Sequence, residues 1–303
     1  MDKTCDKASE RDQVVNKTGE NEDPYMIDTP LGKLCRRHGV DKNSRRKESA
    51  VKYYQKGNVR SVPLNEPADI STPLGTMTAE LVTFYESGQI RRIFPLDGKL
   101  TGFWTEANEY QLAQILSLKT PAGHIFVKAI YIEFYKVGAL KSILFWPMER
   151  VALSTPAGEI MARKGISFYE SGALKNIEPC EEITIKSPIG PIKAFQPDPE
   201  GLMAEESGIC FDTSGHVLSV YSVKSEIHVI LESEVEKVFS PRMVPSYCDE
   251  SAWFIEPIQI IFEKDMVVFK SKNIYLDMVP LCSRFTVKDY IAPRPAAEIL
   301  CQA

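Results

Sequence analysis

Four tyrosines in this chain are each followed, six residues later, by a basic residue. The pairs are Tyr54 with Arg60, Tyr85 with Arg91, Tyr135 with Lys141, and Tyr169 with Lys175. A repeated row of aromatic rings beside cations is suited to an anionic partner, held by many weak charge contacts. That partner would be another protein or an anionic membrane surface. The alternative is a solvated face on which the tyrosines and basic side chains pack on one another.

A second charged feature is the run KLCRRHGVDKNSRRK at 33–47. Its basic residues include Arg36, Arg37, Arg45, Arg46 and Lys47. Such a run is able to contact phosphate groups, but an exposed hairpin extension with solvated charges has the same composition. The formal net charge of −5 argues against a dedicated nucleic-acid-binding protein, which usually carries a basic excess.

Residues for catalysis or metal binding form no recognisable set in the sequence. The histidines at 38, 124, 216 and 228 have no metal-ligand partner at a suitable spacing, and the seven scattered cysteines include no Cys-x-x-Cys pair. The sequence also lacks a P-loop, Gly-x-Gly-x-x-Gly, Gly-x-Ser-x-Gly and His-Glu-x-x-His. We therefore predict no metal and no cofactor. The alternative function is an enzyme with its site in the irregular C-terminal third, at 240–285.

The tyrosine and basic pairs fall at one place in a segment that recurs along the chain. The five copies are VKYYQKGNVRSV (51–62), VTFYESGQIRRI (82–93), IEFYKVGALKSI (132–143), ISFYESGALKNI (166–177) and ICFDTSGHVLSV (209–220). A second element alternates with them: TPLG (29–32), TPLG (72–75), TPAG (120–123), TPAG (155–158) and SPIG (187–190). Units of roughly 32 to 50 residues indicate a repeat architecture.

Both recurring elements have the composition of tight turns. Thr-Pro-x-Gly suits a type I turn, with proline second and glycine fourth. The glycine of the longer segment suits a hairpin turn followed by a bulge, which requires a positive φ. These glycines are Gly57, Gly88, Gly138, Gly172 and Gly215. Two alternating hairpin turns predict an up-and-down antiparallel meander.

The strand before each glycine alternates in the manner of a half-buried strand. We expect Phe84, Phe134, Phe168 and Phe211 to form one buried row, with the tyrosines on the opposite face. In the fifth copy Asp212 and Leu218 replace the tyrosine and the basic residue, so the binding surface should end there. After each glycine the apolar positions are three apart, which predicts a bulge because a flat strand alternates every two residues.

The Phe/Tyr-Tyr-x-x-Gly-x-Leu/Ile-Lys/Arg pattern resembles the core of the MORN repeat, in particular its bacterial variants. DGKLTGFW at 97–104 is similar to the tail of such units. The resemblance covers about residues 29–225 and implies a curved antiparallel sheet that acts as a scaffold or docking surface. The chain departs from the family in two respects, because its units are longer and the closing Gly-x-Gly is missing.

The predicted fold is therefore all-β: an antiparallel meander of repeated hairpins forming an elongated, curved sheet or β-roll. We expect a disordered tail at 1–24, five hairpin units at 25–228, a degenerate repeat or cap at 229–290 and a tail at 291–303. A helical turn after Thr105 interrupts the second unit. No stretch approaches the roughly 20 apolar residues of a membrane span, and the N-terminus does not read as a signal peptide. A non-catalytic, cytoplasmic scaffold or docking module is the predicted function.

Overall fold

The computed structural model describes residues 23–38, 50–97, 105–197, 208–245, 253–271 and 274–293. Within these ranges the protein is built from antiparallel β-sheets and one short helix, so the all-β prediction is confirmed. The two predicted tails lie almost entirely outside the described residues. The statements that follow concern the described ranges only.

The strands are short, mostly four to six residues, and are numbered in chain order. The first twelve are β1 Met26–Thr29, β2 Gly32–Cys35, β3 Lys52–Tyr53, β4 Val59–Thr72, β5 Gly75–Phe84, β6 Ile90–Phe94, β7 Leu116–Thr120, β8 Gly123–Val127, β9 Ala129–Phe134, β10 Leu140–Phe145, β11 Val151–Thr155 and β12 Gly158–Phe168. The rest are β13 Leu174–Pro179, β14 Ile183–Ser187, β15 Gly190–Ala194, β16 Ile209–Phe211, β17 Val217–Ser222, β18 Ser225–Ile230, β19 Glu236–Phe239, β20 Arg242–Pro245, β21 Trp253–Glu256, β22 Ile258–Phe262, β23 Met266–Ser271, β24 Ile274–Pro280 and β25 Arg284–Asp289.

A fourteen-stranded sheet, which we call the main sheet, runs through the molecule. Its order is β24-β23-β22-β17-β16-β13-β12-β10-β9-β6-β5-β4-β3, with β11 paired to β12. All of these pairings are antiparallel, and neighbours in the sheet follow one another in the chain, apart from the inserted hairpins. Strands β22 to β24, in the region predicted to be a degenerate repeat or cap, extend the main sheet to its outer strand. In the same region β19 and β25 pair with β18 in a separate three-stranded sheet, and β20 pairs with β21.

The Thr-Pro-x-Gly elements, which we call the proline turns, close a second set of hairpins. In each turn the Thr or Ser hydroxyl donates to the glycine carbonyl at 2.6–2.8 Å and accepts from the backbone N–H two residues on. The hairpin strands alternate between exposed and buried side chains. Their buried side chains, such as Leu118, Leu153 and Ile185, share one core with the main sheet. The proline-turn hairpins, two of which (β4–β5 and β11–β12) consist of main-sheet strands, therefore contribute to one continuous core with that sheet.

The predicted phenylalanine row forms part of that core. Phe84, Phe134, Phe168 and Phe211 are all fully buried. They are joined there by the isoleucines and valines at the centre of each hairpin, among them Ile93, Ile132 and Ile177. Removing this much apolar surface from water is the main stabilising contribution to the sheet. We call the opposite side of the main sheet the outer face.

The predicted bulges are present in all five copies. Each register shift leaves one extra residue in the strand after the turn; in the second copy Thr83 pairs with Arg92 and Phe84 with Ile90. The extra residues are Arg60, Arg91, Lys141, Lys175 and Leu218. A bulge places two consecutive residues opposite one partner. This explains the three-residue apolar spacing, because two residues between the core positions face outward together.

The helix α1, Glu106–Leu112, lies where a helical turn was predicted. Thr105 is its N-cap, and a reciprocal capping box joins Thr105 and Asn108. The residue that follows the helix, Ala113, packs in a small second cluster with Leu96 and Trp146. Among the described residues, no helix has both the length and the apolar character needed to cross a bilayer.

Candidate functional site

Each predicted tyrosine links its own copy of the segment to the next one. The phenol of Tyr54 donates to the carbonyl of Phe84 at 2.8 Å. The same bond recurs from Tyr85 to Phe134, from Tyr135 to Phe168 and from Tyr169 to Phe211, at 2.8–2.9 Å. The hydroxyl groups are thus used within the fold. Only the ring faces and the adjoining cations remain for a partner.

Three of the predicted basic residues, Arg60, Arg91 and Lys175, lie against these rings, and Lys141 lies beside Glu133. The guanidinium carbons of Arg60 and Arg91 lie 5.8 Å from the ring centres of Tyr54 and Tyr85. Lys175 has the same separation from its own tyrosine, Tyr169. All three are bulge residues, and the bulge is what turns them outward beside the ring. Cation–π contact of this kind contributes roughly 0.5–1 kcal/mol at an exposed site.

The densest group of charges lies where the second and third copies meet. Glu133 is buried on the outer face, and its Oε2 lies 2.8 Å from a terminal nitrogen of Arg92. Its Oε1 lies 3.4 Å from Arg91 Nε and 3.6 Å from Lys141 Nζ. Lys136 approaches from the following turn, with Nζ 5.7 Å from the Tyr85 ring centre. We call these four cations and Glu133 the cationic cluster.

The cluster carries four positive charges and one negative charge. Burial raises the pKa of the Tyr85 phenol beside it, the Glu133 carboxylate raises that pKa further, and three cations act against both. The cations are partly shielded, since the side chains of Arg91, Arg92 and Lys141 are 39%, 25% and 26% exposed. Like charges held together at this depth repel one another more than they would in open water.

The other junctions of the main sheet provide an internal comparison. The positions of Arg92 and Glu133 are held by Ser61 and Thr83 at the first junction. They are held by Ser142 and Ser167, and by Asn176 and Cys210, at the next two. Small neutral residues therefore suffice for pairing, and the cationic cluster is specific to one junction.

The predicted basic run at 33–47 is only partly within the described residues. Arg37 is held in the fold, because its Nη1 lies 2.7 Å from Asp97 and its Nε donates to the Leu64 carbonyl at 3.3 Å. The guanidinium of Arg36 lies 5.4 Å from the ring centre of Tyr25. Arg45, Arg46 and Lys47 lie outside the described residues.

All five segment glycines have a positive φ, between 86° and 96°. Four of them also lie against the proline of an earlier proline turn. A β-carbon added at Gly88 would lie 3.3 Å from Pro30, and one at Gly215 would lie 3.0 Å from Pro156. The same contact joins Gly138 to Pro73 and Gly172 to Pro121, whereas Gly57 has nothing within 4 Å. Most of these turns therefore require glycine for two reasons, its backbone angle and the closeness of the proline.

An open groove of about 310 Å³ lies between two of these turn contacts. Pro121, Pro156, Gly172 and Gly215 line it, and Asp212 is the one titratable side chain in its wall. The Asp212 carboxylate accepts bonds from the backbone N–H groups of Ser214 and His216, at 2.8 and 2.9 Å. These bonds, led by that from the His216 backbone, lower the pKa of Asp212. The carboxylate therefore caps its own turn.

The C-terminal third, the alternative location for an enzyme site, contains one buried polar group of note. Glu256 Oε2 lies 2.6 Å from a terminal nitrogen of Arg242 and accepts a bond from the Ser271 hydroxyl. Arg242 also donates to Ser271 at 3.2 Å. The three side chains satisfy one another at the end of β23. In the part of the chain that the structure describes, no group of histidine, cysteine and carboxylate side chains is arranged to hold a metal ion.

Sequence reasoning identified the tyrosines and the bulged basic residues but not the cationic cluster. Arg92 and Glu133 stand at unlike positions in different copies, so neither is part of the recurring pattern. A signal was nevertheless present: Arg92 is the one charged residue at a position that is serine or asparagine in the other copies, and Glu133 is the one acidic residue at its own position.

Comparison of the chain with protein-family models, with curated proteins and with solved structures finds no match. The resemblance to MORN repeats is thus carried by the motif alone.

Proposed function

We propose that this protein is a non-catalytic docking module that binds an acidic segment of another protein through the outer face. The first four copies, 51–62, 82–93, 132–143 and 166–177, contain eight cations and three carboxylates. The chain as a whole has a net charge of −5. This concentration of positive charge in the four segments of an acidic protein, with six of the cations beside outer-face tyrosines or Glu133, is the observation that carries the proposal. Such a patch steers an oppositely charged partner and fixes its register.

The positions of the basic side chains favour a protein partner over a membrane surface. Arg60, Arg91 and Lys175 each lie against a tyrosine ring, so the rings and cations form one surface. An extended acidic peptide is narrow enough to lie along such a row. A bilayer surface is attracted best by projecting basic side chains.

We further propose that the alternating hairpins are divergent MORN-like repeats that form an elongated, curved scaffold in the cytoplasm. The recurring bulges support this proposal, since a bulge bends a strand and increases its twist. The tyrosine-to-carbonyl bonds recur between copies in the same manner.

A direct test measures binding of a labelled acidic peptide by fluorescence anisotropy over a salt series. Wild type should bind, and affinity should fall steeply as salt rises, because exposed charges are screened over about 10 Å at 0.1 M. The variant Arg60→Glu/Arg91→Glu/Lys141→Glu/Lys175→Glu should lose binding while keeping its circular dichroism spectrum.

The matched control is Lys119→Glu/Lys186→Glu/Lys224→Glu/Lys264→Glu, which changes the net charge equally at four exposed lysines outside the repeated segments. It should retain most of the binding. Equal loss in both variants would show that total charge matters and the outer face does not. Co-sedimentation with anionic vesicles, in the absence of peptide binding, would assign the same face to a membrane.

A further inference from the structure

We infer that the cationic cluster is a binding site for a phosphate monoester on the acidic partner, a phosphorylated side chain. This inference rests on the proposed docking function and adds a chemical requirement to it. The cluster is the one junction of the first four copies that combines Arg91, Arg92, Lys136 and Lys141 around a single carboxylate, Glu133.

Glu133 does not satisfy all the donors of the two arginines beside it. Arg92 makes an ordinary ion-pair contact at 2.8 Å. Arg91 Nε donates a long hydrogen bond to the other carboxylate oxygen at 3.4 Å, and Lys141 Nζ lies 3.6 Å from that same oxygen. An arginine has five N–H donors and a lysine has three, whereas a carboxylate offers about four acceptor positions. The two arginines alone therefore bring more donors than Glu133 is able to accept.

Aromatic rings hold the cations in place for an anion. Arg91 and Lys136 both lie against Tyr85, and the Arg92 guanidinium lies 4.7 Å from the ring centre of Tyr131. A guanidinium resting on a ring still presents its N–H edge, which matches the oxygens of a phosphate. The cluster has a net charge of +3, and a phosphorylated side chain brings up to two negative charges and three acceptor oxygens. A carboxylate brings one charge and two oxygens, so it satisfies the cluster less completely.

The internal comparison argues that the cluster is not needed to build the sheet. Ser61 with Thr83, and Ser142 with Ser167, occupy the equivalent places with small neutral side chains. Arg92 and the buried Glu133 therefore concentrate charge at positions where strand pairing does not require charged residues. A bound dianion would relieve the repulsion among the four cations.

The test compares two short acidic peptides that differ at one position, phosphoserine in one and glutamate in the other. Wild type should bind the phosphopeptide about tenfold more tightly, which corresponds to about 1.4 kcal/mol. Arg91→Gln/Lys141→Gln should lose this preference. Arg60→Gln/Lys175→Gln removes the same charge from equivalent positions outside the cluster, so it should weaken both peptides and keep the preference.

The outcomes separate this inference from the proposed function. Equal binding of both peptides by wild type would overturn the phosphate site and leave the docking function standing. Binding of neither peptide would remove both. A preference that survives in Arg91→Gln/Lys141→Gln, or that is lost equally in the control, would also overturn the site. If the protein bound vesicles containing phosphorylated inositol lipids but did not bind the phosphopeptide, the phosphate ligand would be a lipid headgroup and the inference of a phosphorylated protein partner would be overturned.

A second measurement covers the case in which the Arg91→Gln/Lys141→Gln variant fails to fold. Inorganic phosphate should displace the phosphopeptide from wild-type protein more effectively than chloride at the same ionic strength. Equal displacement by the two salts would show general screening and would overturn the inference.

Discussion

The fourth and fifth segment turns share one backbone and differ in what their first residue does. Tyr169 reaches across to the carbonyl of Phe211 in the next copy, whereas Asp212 bonds to the N–H groups of its own turn. Gly172 and Gly215 have nearly the same φ and both lie against a proline. Their common backbone shows that the turn is specified by its glycine and its bulge. The first residue is therefore available for a separate task, which is lateral linkage in one copy and local capping in the other.

The largest expected effect should be common to both turns, because the core does not distinguish them. Phe168→Ala and Phe211→Ala each remove a fully buried ring from the same row. We expect each to lower the free energy of unfolding by roughly 3–5 kcal/mol. Urea denaturation followed by circular dichroism measures both. A much smaller loss for Phe211→Ala would mean that the fifth copy differs in its core as well as at its surface.

The turn glycines allow backbone strain to be separated from packing against proline. Gly57 and Gly215 have the same φ of 86°, but only Gly215 has a proline within 4 Å of an added β-carbon. Gly57→Ala should lower the free energy of unfolding by about 1–2 kcal/mol, because alanine is strained in the left-handed backbone conformation. Gly215→Ala should cost more, because Pro156 would have to move. Thermal unfolding measures the stability of both variants. Equal losses of stability would show that the nearby proline does not add to the requirement for glycine.

Removing one hydroxyl tests the lateral linkage directly. Tyr169→Phe keeps the ring beside Lys175 but leaves the Phe211 carbonyl without its phenol donor. We expect the free energy of unfolding to fall by about 1 kcal/mol, which is the usual net contribution of one hydrogen bond. Tyr53→Phe is the control, since Tyr53 is half exposed at 51%. If both variants are as stable as wild type, the linkage contributes nothing to stability.

The smallest expected effect concerns pH dependence, because the first residue of the fifth turn is an aspartate whereas that of the fourth is a tyrosine. The folded-state pKa of Asp212 is lowered, so its stabilisation is complete above the unfolded value of about 3.9 and is lost as pH falls through the folded value. Asp212→Asn keeps an acceptor oxygen but does not titrate. Between about pH 6 and pH 3 its melting temperature should fall slightly less than that of wild type. A parallel decline would show that the cap does not depend on charge.

Much of the fold followed from local sequence signals. The turn glycines, the buried phenylalanines, the bulges and the Thr105 cap each depend on a few neighbouring residues, and alternation is sufficient to place side chains on a face. The contact between Gly88 and Pro30 could not be predicted in this way. It depends on how the two sets of hairpins are offset, and a periodic pattern does not specify that offset.

The candidate site shows the same division. The recurring tyrosines and basic residues predicted a charged row on the outer face. The cationic cluster depends instead on which residues two different strands place side by side, and Arg92 pairs with Glu133 only because β6 lies next to β9. The stretch 95–128 between these two strands includes the inserted hairpin and helix, so their pairing is not a local property.

The contacts between glycines and prolines also set an order of events during synthesis. Pro30 meets Gly88, not the nearer Gly57, so the first proline turn finds its contact only after the second segment turn has been made. The same delay recurs for Pro73, Pro121 and Pro156. From Pro30 to Gly215, a chain emerging from the ribosome would therefore carry one or two proline turns that lack their glycine contact, and each segment turn from the second onward would complete one of these contacts. Long pauses in translation just before Gly88, Gly138, Gly172 or Gly215 should leave the nascent chain most open to proteases.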